Sequence, residues 1–236
     1  MNSPVRPLIA AAALLILGIA PALAQPSIRV AIASDITEEG QNTPVPTADK
    51  PVFYYAVTPG YVNVGTALAG ETSPSKSYVQ RLFARALAGR GYHYQRTGKT
   101  PPPIALLLQW GYAVPDINAD MQFVNEADME TLVMGTSKLE ENKFSSKVSS
   151  LYDAARLPRY YVTVTAIDFA AFAQKKKVVL WVTRASTELE ANHLAEVLPT
   201  LIASAAPLFG TQSDQPRLID APLVPAAGVA PAAPAK

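Results

Sequence analysis

Asp116, Asn118 and Asp120 stand at alternate positions, the spacing with which a calcium-binding loop begins. Such a loop also needs a glycine at its sixth position and a bidentate acid at its twelfth. Met121 occupies the glycine position, and Glu126 falls one position too early. The three residues remain a calcium candidate that lacks two defining features, and we favour a helix entrance capped by Asn118 or Asp120.

The stretch from Gly65 to Thr72 has the glycine spacing of a phosphate-binding loop. The lysine that would neutralise the phosphates is replaced by Glu71, whose carboxylate would repel them. We therefore interpret this stretch as a structural turn and not as a nucleotide site.

The two histidines, His93 and His193, lie in different predicted elements without further metal ligands at suitable spacing. The sequence has no cysteine and no Gly-x-Ser-x-Gly motif, which argues against a thiol or an elbow-type serine nucleophile. We expect no cofactor. Hydrolysis by paired carboxylates stays open, because two acids can converge from anywhere in a fold.

Tyrosines concentrate in the predicted strands and the loops beside them. Exposed tyrosines are typical of recognition surfaces for proteins or glycans, whereas packing at a sheet boundary is the structural alternative. The candidate binding surface comprises Tyr54, Tyr61, Tyr92, Tyr94 and Glu71.

Alternating apolar residues predict the strands that must position these side chains. The run 104–112 is apolar on both faces, which is typical of a strand in the middle of a sheet. Residues 160–169 and 178–187 predict an antiparallel hairpin. We interpret its turn, Lys175 to Lys177, as a solvent-exposed edge of the sheet. The less favoured alternative is that the turn contacts an acidic lipid or polymer. Further strands are predicted at 28–34, 52–57 and 92–95.

Helices are predicted between these strands. The first helix begins at Ser73 and Pro74 and carries an apolar stripe. One or two further helices are predicted within residues 116–156. The last helix begins with a capping box formed by Thr187 and Glu190. The order of elements predicts an α+β fold, a two-layer sandwich with a mixed, mostly antiparallel sheet and helices packed on one face.

Residues 1–24 have the three parts of a cleavable signal peptide: basic Arg6, the apolar run 8–20, and the small-residue triplet ending at Ala24. We expect residues 25–210 to form a single α+β domain. The tail, 211–236, is rich in proline and alanine and is predicted to be disordered.

Without Arg6, basic and acidic residues are equal in number, which argues against a nucleic-acid partner. No second apolar stretch is long enough to span a bilayer, so we expect no transmembrane span after signal cleavage. A periplasmic or secreted protein is the expectation from these features.

Several glycine and aromatic motifs resemble an uncharacterised family of exported bacterial proteins over residues 28–210. They are Pro59-Gly60-Tyr61, Gly65, Ala69-Gly70-Glu71, Trp110-Gly111-Tyr112 and the hairpin from Tyr160 to Trp181. The last third is similar to envelope lipoproteins that carry a domain of unknown function, although this chain has no cysteine to lipidate. The resemblance implies that the protein is located in the cell envelope, and it implies no activity.

Two functional hypotheses follow. The first is an exported, non-enzymatic binding or envelope-associated module whose partner is a protein or another cell-envelope component, bound through a sheet edge or the tyrosine face. The alternative is a periplasmic hydrolase that uses paired carboxylates on glycan or peptide.

Overall fold

The computed structural model describes residues 26–47, 49–96, 100–120, 122–135, 146–189 and 193–225. The predicted signal peptide, residues 1–24, lies outside them. Seven strands of the described chain form one sheet. They are β1 (Ser27–Ile36), β2 (Val52–Tyr61), β3 (Tyr92–Tyr94), β4 (Ile104–Ala113), β5 (Arg159–Asp168), β6 (Val179–Glu188) and β7 (Arg217–Pro222).

Five α-helices accompany the sheet: α1 (Lys76–Ala88), α2 (Glu126–Met134), α3 (Ser146–Ala155), α4 (Phe169–Ala173) and α5 (Leu194–Ala205). None of the helices in the described ranges is both long and apolar enough to cross a membrane.

The strand order is β3-β2-β4-β5-β6-β1-β7. β2 runs parallel to both β3 and β4, and every other neighbouring pair is antiparallel. The chain therefore has an α+β fold with a mixed, mostly antiparallel sheet, which confirms the predicted class.

The main core lies between the sheet and helices α1 and α5. Val30 and Ile32 of β1 face it, as do Phe83 of α1 and Leu201 of α5. Each is at most 8% exposed, and burying such a side chain contributes about 1.5–3 kcal/mol. Because strand side chains alternate, the neighbouring Ala31 points to the opposite face of the sheet.

Helices cover that opposite face as well, which differs from the predicted single helical layer. Ala31 packs there with Val133 of α2 and Leu151 of α3. The same face carries a buried ion pair in which Arg184 Nη1 lies 2.7 Å from Asp35 Oδ2. The extra helices follow from the central strands, whose two faces are both largely buried and therefore both need covering.

The prediction that the chain is disordered from residue 211 onwards is wrong for residues 217–222, which form β7. This strand pairs antiparallel with β1. Its alternation sends Ile219 to the main core and Leu218 to the α2–α3 side, so the segment buries enough apolar surface to order. Upstream, Ser213 Oγ donates to Ser34 O at 2.9 Å. Residues 226–236 lie outside the described chain.

Two helix starts differ from the predicted ones. α1 is capped by Ser75, which accepts from Tyr78 N, and not by Ser73. α5 begins only at Leu194, because Thr187 belongs to β6 and its hydroxyl donates to Arg29 O at 2.8 Å. Pro199 lies inside α5.

Candidate functional site

The five residues of the predicted binding surface do not form one surface. Tyr54 and Tyr92 are 2% and 1% exposed and pack in the main core, so they do not belong to an exposed binding surface. Their positions in β2 and β3 alternate toward α1 and α5, and the apolar body of tyrosine fits that layer. Burial raises the pKa of both phenols to about 12.

Tyr94 ends β3 at the edge of the sheet and is 53% exposed. Its ring lies 6.0 Å from that of Tyr54, to which it is aligned in the parallel β2–β3 pair. Tyr94 therefore remains accessible, although Tyr54 and Tyr92 are not.

Glu71 and Tyr61 are brought close to each other, in a cluster that also includes Tyr160 of β5 and Leu194 of α5. The Glu71 side chain is 5% exposed. Its Oε2 accepts from Tyr160 Oη at 2.6 Å, and its Oε1 accepts from Leu194 N at 3.3 Å. We call these residues the Glu71 cluster.

Positive potential and two phenols with raised pKa values surround the Glu71 carboxylate. The N-terminus of α5 supplies positive potential, and His193 Nδ1 lies 3.6 Å from Glu71 Oε2. Burial, followed by the hydrogen bond to Glu71, raises the pKa of Tyr160. Burial, Tyr112 and Glu71 raise the pKa of Tyr61 to about 12. A carboxylate held in this way ties the loop after β2 to α5.

The calcium candidates have structural partners in the loop after β4. Asn118 Oδ1 accepts from Asp120 N and from Gln122 N at 3.0 and 2.9 Å, and Asp116 Oδ1 accepts from Thr66 Oγ1 at 2.8 Å. Across the described ranges, no group of three or more His, Cys, Asp or Glu residues is arranged to hold a metal ion. The helix that follows is preceded by Asn125, and neither Asn118 nor Asp120 caps it.

A second cluster was not predicted from the sequence. Phe53 and His93 are aligned partners in β2 and β3, with ring centroids 6.2 Å apart. Two residues along β2, Tyr55 lies on the same face of the sheet, and its ring is 5.7 Å from that of Phe169 at the start of α4. We call His93, Phe53, Tyr55 and Phe169 the aromatic row.

The aromatic row is accessible along its length. Phe53 is 43% exposed, His93 is exposed, and Tyr55 and Phe169 are half-buried. It lies opposite the main core, on the face where α4 packs against β4 and β5. The alternation of Phe53 and Tyr55 was a signal in the sequence, but the neighbours of β2 could not be read from it.

No known protein family and no curated protein matches the sequence. One similar solved structure is a PDZ domain protein from Parabacteroides distasonis ATCC 8503, with 10% identity and a TM-score of 0.42. The match covers 83% of this chain but only 39% of the length of that protein. Two PelC dodecamers from Paraburkholderia phytofirmans match at 14% and 11% identity, with TM-scores of 0.36 and 0.37. These two matches cover 79% and 78% of this chain and 99% of each PelC chain.

Proposed function

We propose that this protein is an exported, non-enzymatic module that binds a component of the cell envelope through the aromatic row. The observation that carries the proposal is the accessible run of four rings on β3, β2 and α4. Aromatic side chains combine a large apolar face with low conformational entropy, so they are favoured where a surface binds a partner.

Side chains are better placed than backbone to make this contact. β3 has three residues, and β7 is preceded by Pro216 and ends at Pro222. Short edge strands and edge prolines both oppose the addition of a further strand. Of the two predicted binding modes, this favours a side-chain surface over a sheet edge.

The Glu71 carboxylate is not placed to take part in paired-carboxylate hydrolysis. A hydrolytic acid must reach substrate, yet the Glu71 side chain is 5% exposed and both its oxygens accept hydrogen bonds. The carboxylate is occupied in holding a loop.

Export is supported by the three-part pattern of residues 1–24. N-terminal sequencing of the protein from its native cells is expected to begin at Gln25. An intact Met1 on protein from the cytosolic fraction would contradict export.

Capture of envelope material tests the proposed surface. Immobilised protein is expected to retain components of an envelope extract, and Phe53→Ala with His93→Ala is expected to reduce the retained mass several-fold. Val124→Ala is the matched control, because Val124 is 65% exposed and lies in the loop after β4. Equal retention by the row variant and the control would contradict the proposal.

A further inference from the structure

Lys175 has an unusual backbone conformation. Its φ is 62°, and it is the one non-glycine residue of the described chain with a positive φ. It closes α4: Lys175 N donates to Phe172 O and Lys176 N to Ala171 O, both at 2.9 Å. Glycine is the usual residue at this position because it has no Cβ to strain. A lysine here costs some folding stability relative to glycine.

Lys175 belongs to a group of exposed cations at one end of the sheet. The register aligns Asp168 with Ile104 and Ile104 with Tyr54, so the turn after α4 lies at the same end as the start of β2. Within the described ranges, no carboxylate lies within 4.0 Å of any of these cations. The exposed cations at this end of the sheet are Lys50, Arg96, Lys175, Lys176 and Lys177.

Exposed acids are present at both ends of the sheet. Asp168 is engaged as the cap of α4, where it accepts from Ala171 N at 2.6 Å. Asp49 adjoins Lys50, and Glu38 and Glu39 follow Thr37, whose N donates to Leu180 O near the start of β6. The exposed acids Asp120, Glu126 and Asp128 follow β4 at the other end of the sheet. The positive charge that could complement an anionic partner is therefore local to the turn, where three consecutive lysines have no carboxylate within 4.0 Å in the described ranges.

The aromatic row leads to this cationic end. Its ring pairs are 6.2 and 5.7 Å apart, and Phe53 and Tyr55 are separated by about 7 Å along their strand. Because two of these steps run across the sheet and one runs along β2, the row spans at most about 14 Å, enough for two or three sugar rings. Flat aromatic faces stack on the apolar faces of sugars, while the lysines suit carboxylates along the same polymer.

We propose that the aromatic row and the turn Lys175–Lys177 together bind an acidic polysaccharide, a glycan whose sugars carry carboxylates. This rests on the proposed function and names the partner of the same surface. Anionic lipid is the less favoured partner, because lipid recognition by charge takes about four to eight cations in one compact cluster. The cations here are divided among three segments of the chain, with at most three consecutive, in the turn.

Binding to polygalacturonate tests the proposal, with neutral dextran and phosphatidylglycerol vesicles as parallel arms. The protein is expected to bind polygalacturonate with an affinity that falls steeply with salt, and to bind the other two weakly. Lys175→Gly is expected to weaken this binding several-fold while raising the midpoint of thermal unfolding by roughly 2 °C. Arg29→Gln, which removes an exposed charge beside Asp220, is the charge-matched control.

Three outcomes would overturn the inference. The protein could bind the vesicles more tightly than polygalacturonate, or it could bind dextran equally well. In the third outcome, neither Lys175→Gly nor the triple variant Lys175→Gln/Lys176→Gln/Lys177→Gln changes the binding of polygalacturonate. If polygalacturonate does not bind but Phe53→Ala still reduces capture of envelope material, this inference fails and the proposed function stands. If Phe53→Ala changes neither, both fail.

Discussion

The ring of Phe169 lies 5.7 Å from that of Tyr55 and meets it at 66°, an edge-to-face contact between α4 and β2. Through it, the aromatic row continues from the sheet onto α4 and toward the lysine turn. Phe169→Ala should loosen this helix, because the helix is only five residues long and would lose its aromatic contact with β2.

We expect trypsin to cleave after Lys175, Lys176 or Lys177 several-fold faster in Phe169→Ala than in the unaltered protein, because local opening exposes the backbone. Phe123→Ala, a change in the loop after β4, provides the control. Unchanged cleavage at the turn would show that the contact with Tyr55 does not hold α4.

Tyr160→Phe removes the 2.6 Å hydrogen bond to the buried carboxylate of Glu71. The free energy of unfolding is expected to fall by about 1–3 kcal/mol, because a buried charged acceptor loses a donor. Denaturant unfolding measures the change. Tyr94→Phe, at an exposed position, should change it by less than about 0.5 kcal/mol. Equal effects of the two substitutions would exclude a stabilising role for the Glu71 cluster.

Truncation tests the role of β7. A chain ending at Gly210 lacks the strand that pairs with β1, whereas one ending at Pro225 retains it together with the 2.8 Å bond from Val224 N to Thr200 Oγ1. We expect the shorter chain to melt at least about 5 °C below the longer one. Identical melting temperatures would mean that β7 contributes nothing to the folded domain.

Alkaline pH should unfold this protein through its buried tyrosines. The pKa values of Tyr54, Tyr92 and Tyr161 are raised by burial to about 12, whereas an unfolded phenol titrates near 10. Between pH 10 and 12 the unfolded state releases protons that the native state retains. Stability therefore falls as pH rises through this window, by about 1.4 kcal/mol per pH unit for each tyrosine.

Tyr92→Phe isolates one of these contributions. The Tyr92 hydroxyl has no hydrogen-bond partner in the described chain, so removing it should cost little at neutral pH. The slope of unfolding free energy above pH 10 should become shallower by about 1.4 kcal/mol per pH unit. An unchanged slope would show that Tyr92 ionises as readily in the native state as in the unfolded state.

The elements with strong local patterns could be predicted from the sequence. The hairpin of β5 and β6 was predicted within one residue at each strand end, because its alternation continues along both strands. The start of α5 was predicted wrongly. Thr187 and Glu190 have the spacing of a capping box, but Thr187 belongs to strand β6. Local spacing cannot show that pairing with β1 takes precedence.

The candidate sites depended on information that the sequence carries less directly. Tyr54 and Phe53 are adjacent and both aromatic, yet one is 2% and the other 43% exposed. Which of them faces the core depends on where α1 and α5 pack. The aromatic row further requires that β2 lie beside β3 and that α4 return to contact it, and both are long-range arrangements.

Histidine footprinting tests the central claim most directly, because the two histidines lie in different clusters: His93 in the aromatic row and His193 beside Glu71. The measurement is the rate of carbethoxylation of each imidazole by diethylpyrocarbonate, followed by mass spectrometry with and without envelope extract. We expect the extract to slow modification of His93 several-fold and to leave His193 unchanged. Protection of His193 alone, or of neither histidine, would contradict binding through the aromatic row.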